Sequence, residues 1–127
     1  MRVLLDTHIF LWCIKGDRRL TKSMRTKISQ ATEVYVSSAS IWEVVIKMKL
    51  NKLEADIDQV VAAIADSGFM ELSITASHAV GVSRLPDIHR DPFDRILIAQ
   101  AMCEPLTLLT ADSTLRRYSE LVEVLGK

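Results

Sequence analysis

Val3-Leu4-Leu5-Asp6-Thr7-His8 is the stretch that decides the fold. Three aliphatic residues in a row, without the alternation a half-wet strand would show, read as a strand buried on both faces. Asp6-Thr7 ends the run, and Ile9, Leu11, Trp12 and Ile14 begin a helix that Gly16-Asp17 breaks. The same strand-then-helix order recurs downstream. Thr21 caps a basic helix reaching Ala31, with Met24 and Ile28 facing inward, and residues 33–37 form a β-branched, aromatic strand. Ser38-Ala39-Ser40 opens a third helix ending near Asn51, in which Ser40 and Glu43 have the spacing of a capping box. Asp56 or Asp58 caps the next helix, whose buried stripe is Ile57, Val60, Val61 and Ile64, and Ser67-Gly68 stops it. A third strand over 69–73, a helix over 75–85 broken by Pro86, and a loop over 86–92 lead to the apolar helix 93–103, with Pro92 in its first turn. A fourth strand spans 106–109, Asp112 caps a short helix over 113–118, and 121–125 is a fifth strand.

Strands alternating with helices predict an α/β fold: one domain, 1–127, with a central parallel sheet of about five strands, right-handed crossovers and helices on both faces. A chain of 127 residues, 49% hydrophobic, can close such a core without disulfide or metal. That composition excludes a disordered or low-complexity chain. Sixteen Lys+Arg balance sixteen Asp+Glu, which excludes binding of a polyanion by net charge alone, so any such partner needs a local patch. Cys13 and Cys103 both sit in apolar stretches and are expected to be buried small hydrophobes in a reducing compartment. Zinc is disfavoured, because there is no Cys-x-x-Cys and His8, His78 and His89 are scattered. The longest apolar runs, 9–14 and 60–65, fall far short of a membrane span, and the N-terminus does not read as a signal peptide. The expectation is a cytoplasmic protein with no membrane partner.

Parallel α/β sheets bind ligands at the carboxyl ends of their strands, near the switch in strand order. Four acids map to that edge: Asp6 after the first strand, Glu43 early in the helix after the second, Asp94 at the start of helix 93–103, and Asp112 after the fourth strand. Each also fits a local role: Asp6 and Asp112 as N-caps, Glu43 in a capping box, Asp94 at the positive end of a helix dipole. Capping alone, however, would scatter acids over both ends of the sheet. Two carboxylates about 5 Å apart repel by roughly 3 kcal/mol at an effective dielectric of about 20, so clustered acids call for a cation. All-oxygen ligation suits Mg²⁺, or Mn²⁺ in its place, and such an ion activates water and stabilises charge on a phosphoryl group. The chemistry implied is hydrolysis of a phosphate ester. Asp91, Thr7, Ser40 and Thr110 are candidates to orient the carboxylates or water, with turn and capping roles as the alternative. His8 is expected to pack on its helix, and His89 lies on a loop within reach of a bound phosphate.

These residues resemble a family. Leu4-Leu5-Asp6-Thr7-His8, Ser37-Ser38-Ala39-Ser40-Ile41-Trp42-Glu43, the block from His89 through Asp91-Pro92-Phe93-Asp94 to Ala101, and Leu108-Leu109-Thr110-Ala111-Asp112 are similar to the successive motifs of PIN-domain nucleases, and more narrowly of VapC toxins from bacterial VapBC toxin–antitoxin pairs. The resemblance runs from Met1 to about Tyr118. It implies a Mg²⁺-dependent endoribonuclease with Asp6, Glu43, Asp94 and Asp112 as its acidic quartet, acting on tRNA, rRNA or mRNA and leaving 5′-phosphate and 3′-hydroxyl ends. It also implies a homodimer and a VapB-like antitoxin whose tail blocks the active site.

Two groups of cations, Lys15, Arg18, Arg19, Lys22, Arg25 and Lys27, then Lys47, Lys49 and Lys52, are candidates for RNA phosphates, or else solvated helix faces. Trp12, Ile41, Trp42 and Ile46 offer either core packing or a groove for an antitoxin helix. The alternatives from other classes are a phosphorelay receiver and a haloacid-dehalogenase-like phosphatase. A receiver wants an acidic pair after the first strand and a late Lys. The phosphatase wants an Asp where His8 stands.

Overall fold

The computed structural model describes residues 1–125. Five strands, β1 (Arg2–Leu5), β2 (Glu33–Ser37), β3 (Met70–Leu72), β4 (Thr107–Thr110) and β5 (Val122–Val124), form one sheet in the order β3-β2-β1-β4-β5. Every neighbouring pair is parallel, as the uninterrupted aliphatic run of β1 requires. Six helices connect them: α1 (Thr7–Lys15), α2 (Lys22–Gln30), α3 (Ser38–Lys49), α4 (Ile57–Asp66), α5 (Ala76–Val82) and α6 (Pro92–Cys103), with a 3₁₀ turn at Ser113–Arg117.

The pleat of β1 divides the core. Val3 and Leu5 join Ile9 and Phe10 of α1, Met24 and Ile28 of α2, and Val60 and Ile64 of α4. Leu4 points the other way, to Leu97, Ile98 and Ala101 of α6 and to Leu115 and Tyr118. Both faces of the sheet are therefore covered, and β1 is dry from Val3 to Leu5. Among the described residues no helix is long and apolar enough to cross a membrane.

Four details correct the sequence expectations. The capping box at Ser40 and Glu43 is not made: β2 runs into α3 without a loop, so Ser37 becomes the cap and accepts the Ala39 N–H at 3.0 Å. Ser40 is then buried inside the helix, and Glu43 is released from any capping duty. Cys103 is exposed rather than buried, because it lies at the last residue of α6, beyond the stretch that covers the sheet, and Cys13 is only half-buried, packed against the edge of the core. His8 is exposed instead of packed on its helix, since Thr7, Ile9 and Phe10 take the inward directions of that turn. Strand β3 keeps only three of the residues expected of it, because it is an edge strand paired on one side alone.

Helices α1 and α3 end in the same reversal, as does α4 at Gly68 (φ 77°). At Gly16 (φ 61°) the chain turns left-handed and the Asp17 N–H bonds back to the Trp12 carbonyl. At Asn51 (φ 56°) it does so again, with the Lys52 N–H on the Lys47 carbonyl and the Asn51 N–H on that of Met48. All three follow the Schellman pattern, which folds the residues after a helix back beside its last turn.

Candidate active site

In this strand order the chain leaves β1 toward β2 and β3, then returns to build β4 and β5 on the other side. The switch therefore lies between β1 and β4, and the crevice at their carboxyl ends is where an open α/β sheet places its ligand. A cavity of about 330 Å³ occupies it, lined by Asp6, Glu43, Asp91, Asp94 and Asp112, together with His8, Trp12, Lys47 and Ala111. All four acids of the sequence reading, and Asp91, thus reach one pocket from separate segments of the chain.

Asp6 is the innermost, only 5% exposed. It caps α1, accepting the Ile9 N–H at 2.8 Å on Oδ1, while Oδ2 accepts the Thr110 hydroxyl at 2.5 Å across the switch. Burial pushes its pKa up and the Glu43 charge adds to this; the two hydrogen bonds and His8 oppose the rise. Thr110 also accepts the Asp112 N–H at 3.1 Å, so one hydroxyl sets both acids at this edge. On the other side, the Thr7 hydroxyl donates to Ser40 at 2.9 Å and ties the start of α1 to α3, which carries Glu43. Glu43 is 6% exposed, and its Oε2 lies 2.9 Å from the Lys47 ammonium one helical turn on.

Asp94 stands in the first turn of α6, which Asp91 caps through the N–H groups of Phe93 and Asp94 at 2.9 and 3.1 Å. Its pKa is pushed up to about 6, by burial first and then by the like charge of Asp91, against the pull of His89. His89 faces Asp94 rather than open solvent: Nε2 is 3.2 Å from Oδ2, and Nδ1 is 2.7 Å from the Tyr118 hydroxyl. Tyr118 in turn receives Arg95 Nη1 at 3.2 Å. Sequence reasoning missed this His89–Tyr118–Arg95 brace; its one signal was an aromatic residue set among the polar Arg116, Arg117, Ser119 and Glu120. Asp112 caps the 3₁₀ turn through the Thr114 N–H at 2.9 Å and remains exposed.

The cap reading and the pocket reading are therefore both true of Asp6, Asp91 and Asp112: one oxygen serves the backbone and the carboxylate still borders the cavity. Among the described residues no three His, Cys, Asp or Glu side chains stand close enough together to grip one ion as placed. The hydrogen bonds explain why, since Glu43 is turned to Lys47 and Asp94 to His89. The donor set nonetheless fits a hard divalent cation, being all carboxylate oxygen, and Asp6 and Asp94, raised by burial first and by neighbouring acids after it, have ionised forms that a cation would stabilise.

Trp42 is 60% exposed and meets Phe93 edge-on, ring centroids 5.4 Å apart, so it is surface rather than core. Ile41 packs against the core and Ile46 is half-buried. Away from the site, buried His78 bonds Glu104 through Nε2 at 2.5 Å and joins α5 to α6, a contact the sequence gave no hint of.

Residues 3–121 match the model of the PIN domain family. No curated protein matches the chain. Among solved structures, VapBC2 from Rickettsia felis bound to a promoter DNA fragment is similar with a TM-score of 0.70 at 16% identity, over 98% of each chain. A toxin–antitoxin complex from Klebsiella pneumoniae gives 0.69 at 19% identity, over 96% of each chain. DNA-bound VapBC from Salmonella typhimurium gives 0.69 at 14%, over 98% of this chain and 97% of that one. Identities this low establish a shared fold, and the family match covers nearly the whole sequence: the chain belongs to the PIN domain family.

Proposed function

We propose that this protein is a divalent-cation-dependent endoribonuclease and the toxin of a toxin–antitoxin pair, of the VapC type. One observation carries the reading: Asp6, Glu43, Asp94 and Asp112 arrive from four separate segments at a single cavity in the crevice between β1 and β4. Asp6 and Asp112 cap helix starts that gather at this edge, but Glu43 and Asp94 cap nothing and still border the same cavity.

Asp6, Asp94 and Asp112 would hold Mg²⁺, or Mn²⁺ in its place, with Glu43 either completing the set or orienting the attacking water. The cation, when bound, would lower the pKa of water and stabilise the charge that develops on the phosphoryl oxygens. Thr110 fixes the direction of Asp6, and His89, itself held by Tyr118, fixes that of Asp94. For Glu43 to turn into the pocket it must leave Lys47, and the freed ammonium then stands beside the cavity where a phosphate would lie. Burial raises the pKa of both Asp6 and Asp94, so a bound cation would favour their ionised forms and cation affinity should rise with pH.

The complexes with similar folds support a VapB-like antitoxin as partner. The Trp42–Phe93 pair at the rim gives such a partner an apolar anchor next to the pocket. In this reading the chain also pairs with a second copy of itself, for which Val80 and Met102, exposed on the packed helices α5 and α6, offer apolar surface.

The test is incubation with structured RNA in Mg²⁺ or in EDTA. Expected are cleavage only with the cation and products bearing 5′-phosphate and 3′-hydroxyl ends. Equal cleavage in EDTA, or hydrolysis of small phosphate esters in preference to RNA, would overturn the assignment.

A further inference from the structure

The acidic pocket does not end at its acids. A second cavity of about 210 Å³ shares His8, Trp12 and Lys47 with it, so the two lie side by side. Its character is opposite: Lys15, Arg19, Lys47 and Lys52 line it, and Asp17 is its one acid. That acid is already engaged, with Oδ2 2.7 Å from Arg19 Nη2, and the Arg19 guanidinium lies over the Trp12 ring 5.0 Å from its centroid. Neither Lys15 nor Lys52 pairs with an acid among the described residues.

The cations come from the two sequence groups, 15–27 and 47–52, and the fold selects among them. The left-handed reversals at Gly16 and Asn51 turn the chain back at the ends of α1 and α3, which brings Arg19 and Lys52 beside Lys15 and Lys47. Lys22 and Arg25 are exposed on α2 and line no part of this cleft. Lys15 and Lys52, with no acid of their own, and Lys47, once Glu43 leaves it, repel one another unless an anion lies among them. The polyanion expected here is the one that must leave an acidic, cation-loaded pocket in some direction.

We propose that this basic cleft is the track along which the RNA strand leaves the scissile phosphate, with Lys15, Lys47 and Lys52 against backbone phosphates and Arg19 held rigid on Trp12 as the wall. The proposal rests on the nuclease reading and adds to it the path of the substrate. It makes recognition here a matter of backbone charge, independent of base identity.

The experiment uses Asp112→Asn protein in Mg²⁺, to block cleavage, and a fluorescein-labelled single-stranded RNA 20-mer followed by anisotropy from 50 to 300 mM salt. Lys15→Ala/Lys52→Ala should weaken binding at least about tenfold at low salt and flatten the slope of log affinity against log salt by about 1.4, roughly 0.7 per lost contact. Lys15→Arg/Lys52→Arg should restore both, and Lys22→Ala/Arg25→Ala on α2 should change neither. In the cleaving background the alanine pair should raise KM and leave kcat alone. An unchanged slope in the cleft variant, or an equal loss in the α2 variant, would overturn the track while leaving the nuclease reading intact if wild-type protein still cuts RNA. Loss of binding to an acidic peptide with RNA binding retained would assign the cleft to a protein segment and also overturn it. Failure of the wild-type chain to cut RNA in Mg²⁺ would remove the nuclease reading itself.

Discussion

The two ends of the sheet are built from the same kinds of residues and do different work. At the amino end, beside the starts of β2 and β3, lies the larger cavity, about 440 Å³, lined by Cys13, Leu20, Ile28, Val34 and Phe69 among others. At the carboxyl end the smaller one, about 330 Å³, gathers five carboxylates. Size does not mark the site. The amino-end cavity is a gap between helix ends whose ionisable lining residues, such as Arg25 and Glu33, are engaged elsewhere, in bonds to the Leu20 carbonyl and to Arg2. The carboxyl-end cavity sits where helix starts supply N–H donors and loops supply acids, and there charge is concentrated at a cost to the fold.

Asp6→Asn and Asp94→Asn put the largest strain on that contrast. Each should cut RNA cleavage by at least about a hundredfold, the scale of losing one group that stabilises a transition state, with the far-ultraviolet circular dichroism unchanged. Cys13→Ala in the amino-end cavity should leave turnover within about twofold. Near-native cleavage by either carboxylate variant would make the two ends equivalent.

Thiol labelling sharpens the difference chemically. Burial pushes the Cys13 thiol up to about 11, so at neutral pH it holds about a hundredfold less thiolate than at its ordinary value. Iodoacetamide should therefore modify exposed Cys103 first and Cys13 only on unfolding, read by peptide mass spectrometry.

The smallest expected effect is on stability. Asp94, at about 6 in the folded chain against an ordinary 3.8, is penalised when ionised. Its contribution is therefore fully present below pH 3.8 and lost as pH rises through about 6. In EDTA the melting temperature should fall by a few degrees across that window relative to Asp94→Asn, and Mg²⁺ should narrow the gap. A pH profile identical in wild type and variant would place Asp94 in open solvent.

Much of this was legible before any coordinates. The uninterrupted Val3-Leu4-Leu5 run announced a strand covered on both faces, and Asp6, Thr21, Asp56 and Asp112 cap the helices they were expected to cap. Edge placement of the four acids followed from strand order alone. Less legible were side-chain directions. The Ser40 and Glu43 spacing matched a capping motif, yet the direct passage from β2 into α3 moved the cap to Ser37. His89 was legible as a loop residue; its turn toward Asp94 depends on Tyr118, which arrives from a distant part of the chain. Which lysines share a cleft depends on two left-handed residues whose effect is purely spatial.

The central place of β1, hydrogen-bonded to β2 on one side and β4 on the other, has a consequence for biosynthesis. A ribosome that has released residues only as far as Arg90 has made Asp6 and Glu43, but not Asp94, not Asp112, and not the Thr110 hydroxyl that holds Asp6 across 104 residues of chain. The nascent polypeptide lacks two of its five strands and, in Asp94 and Asp112, two of the four acids of the proposed quartet, so it cannot yet assemble the pocket. On the nuclease reading, the pocket is complete only once the closing codons have been read.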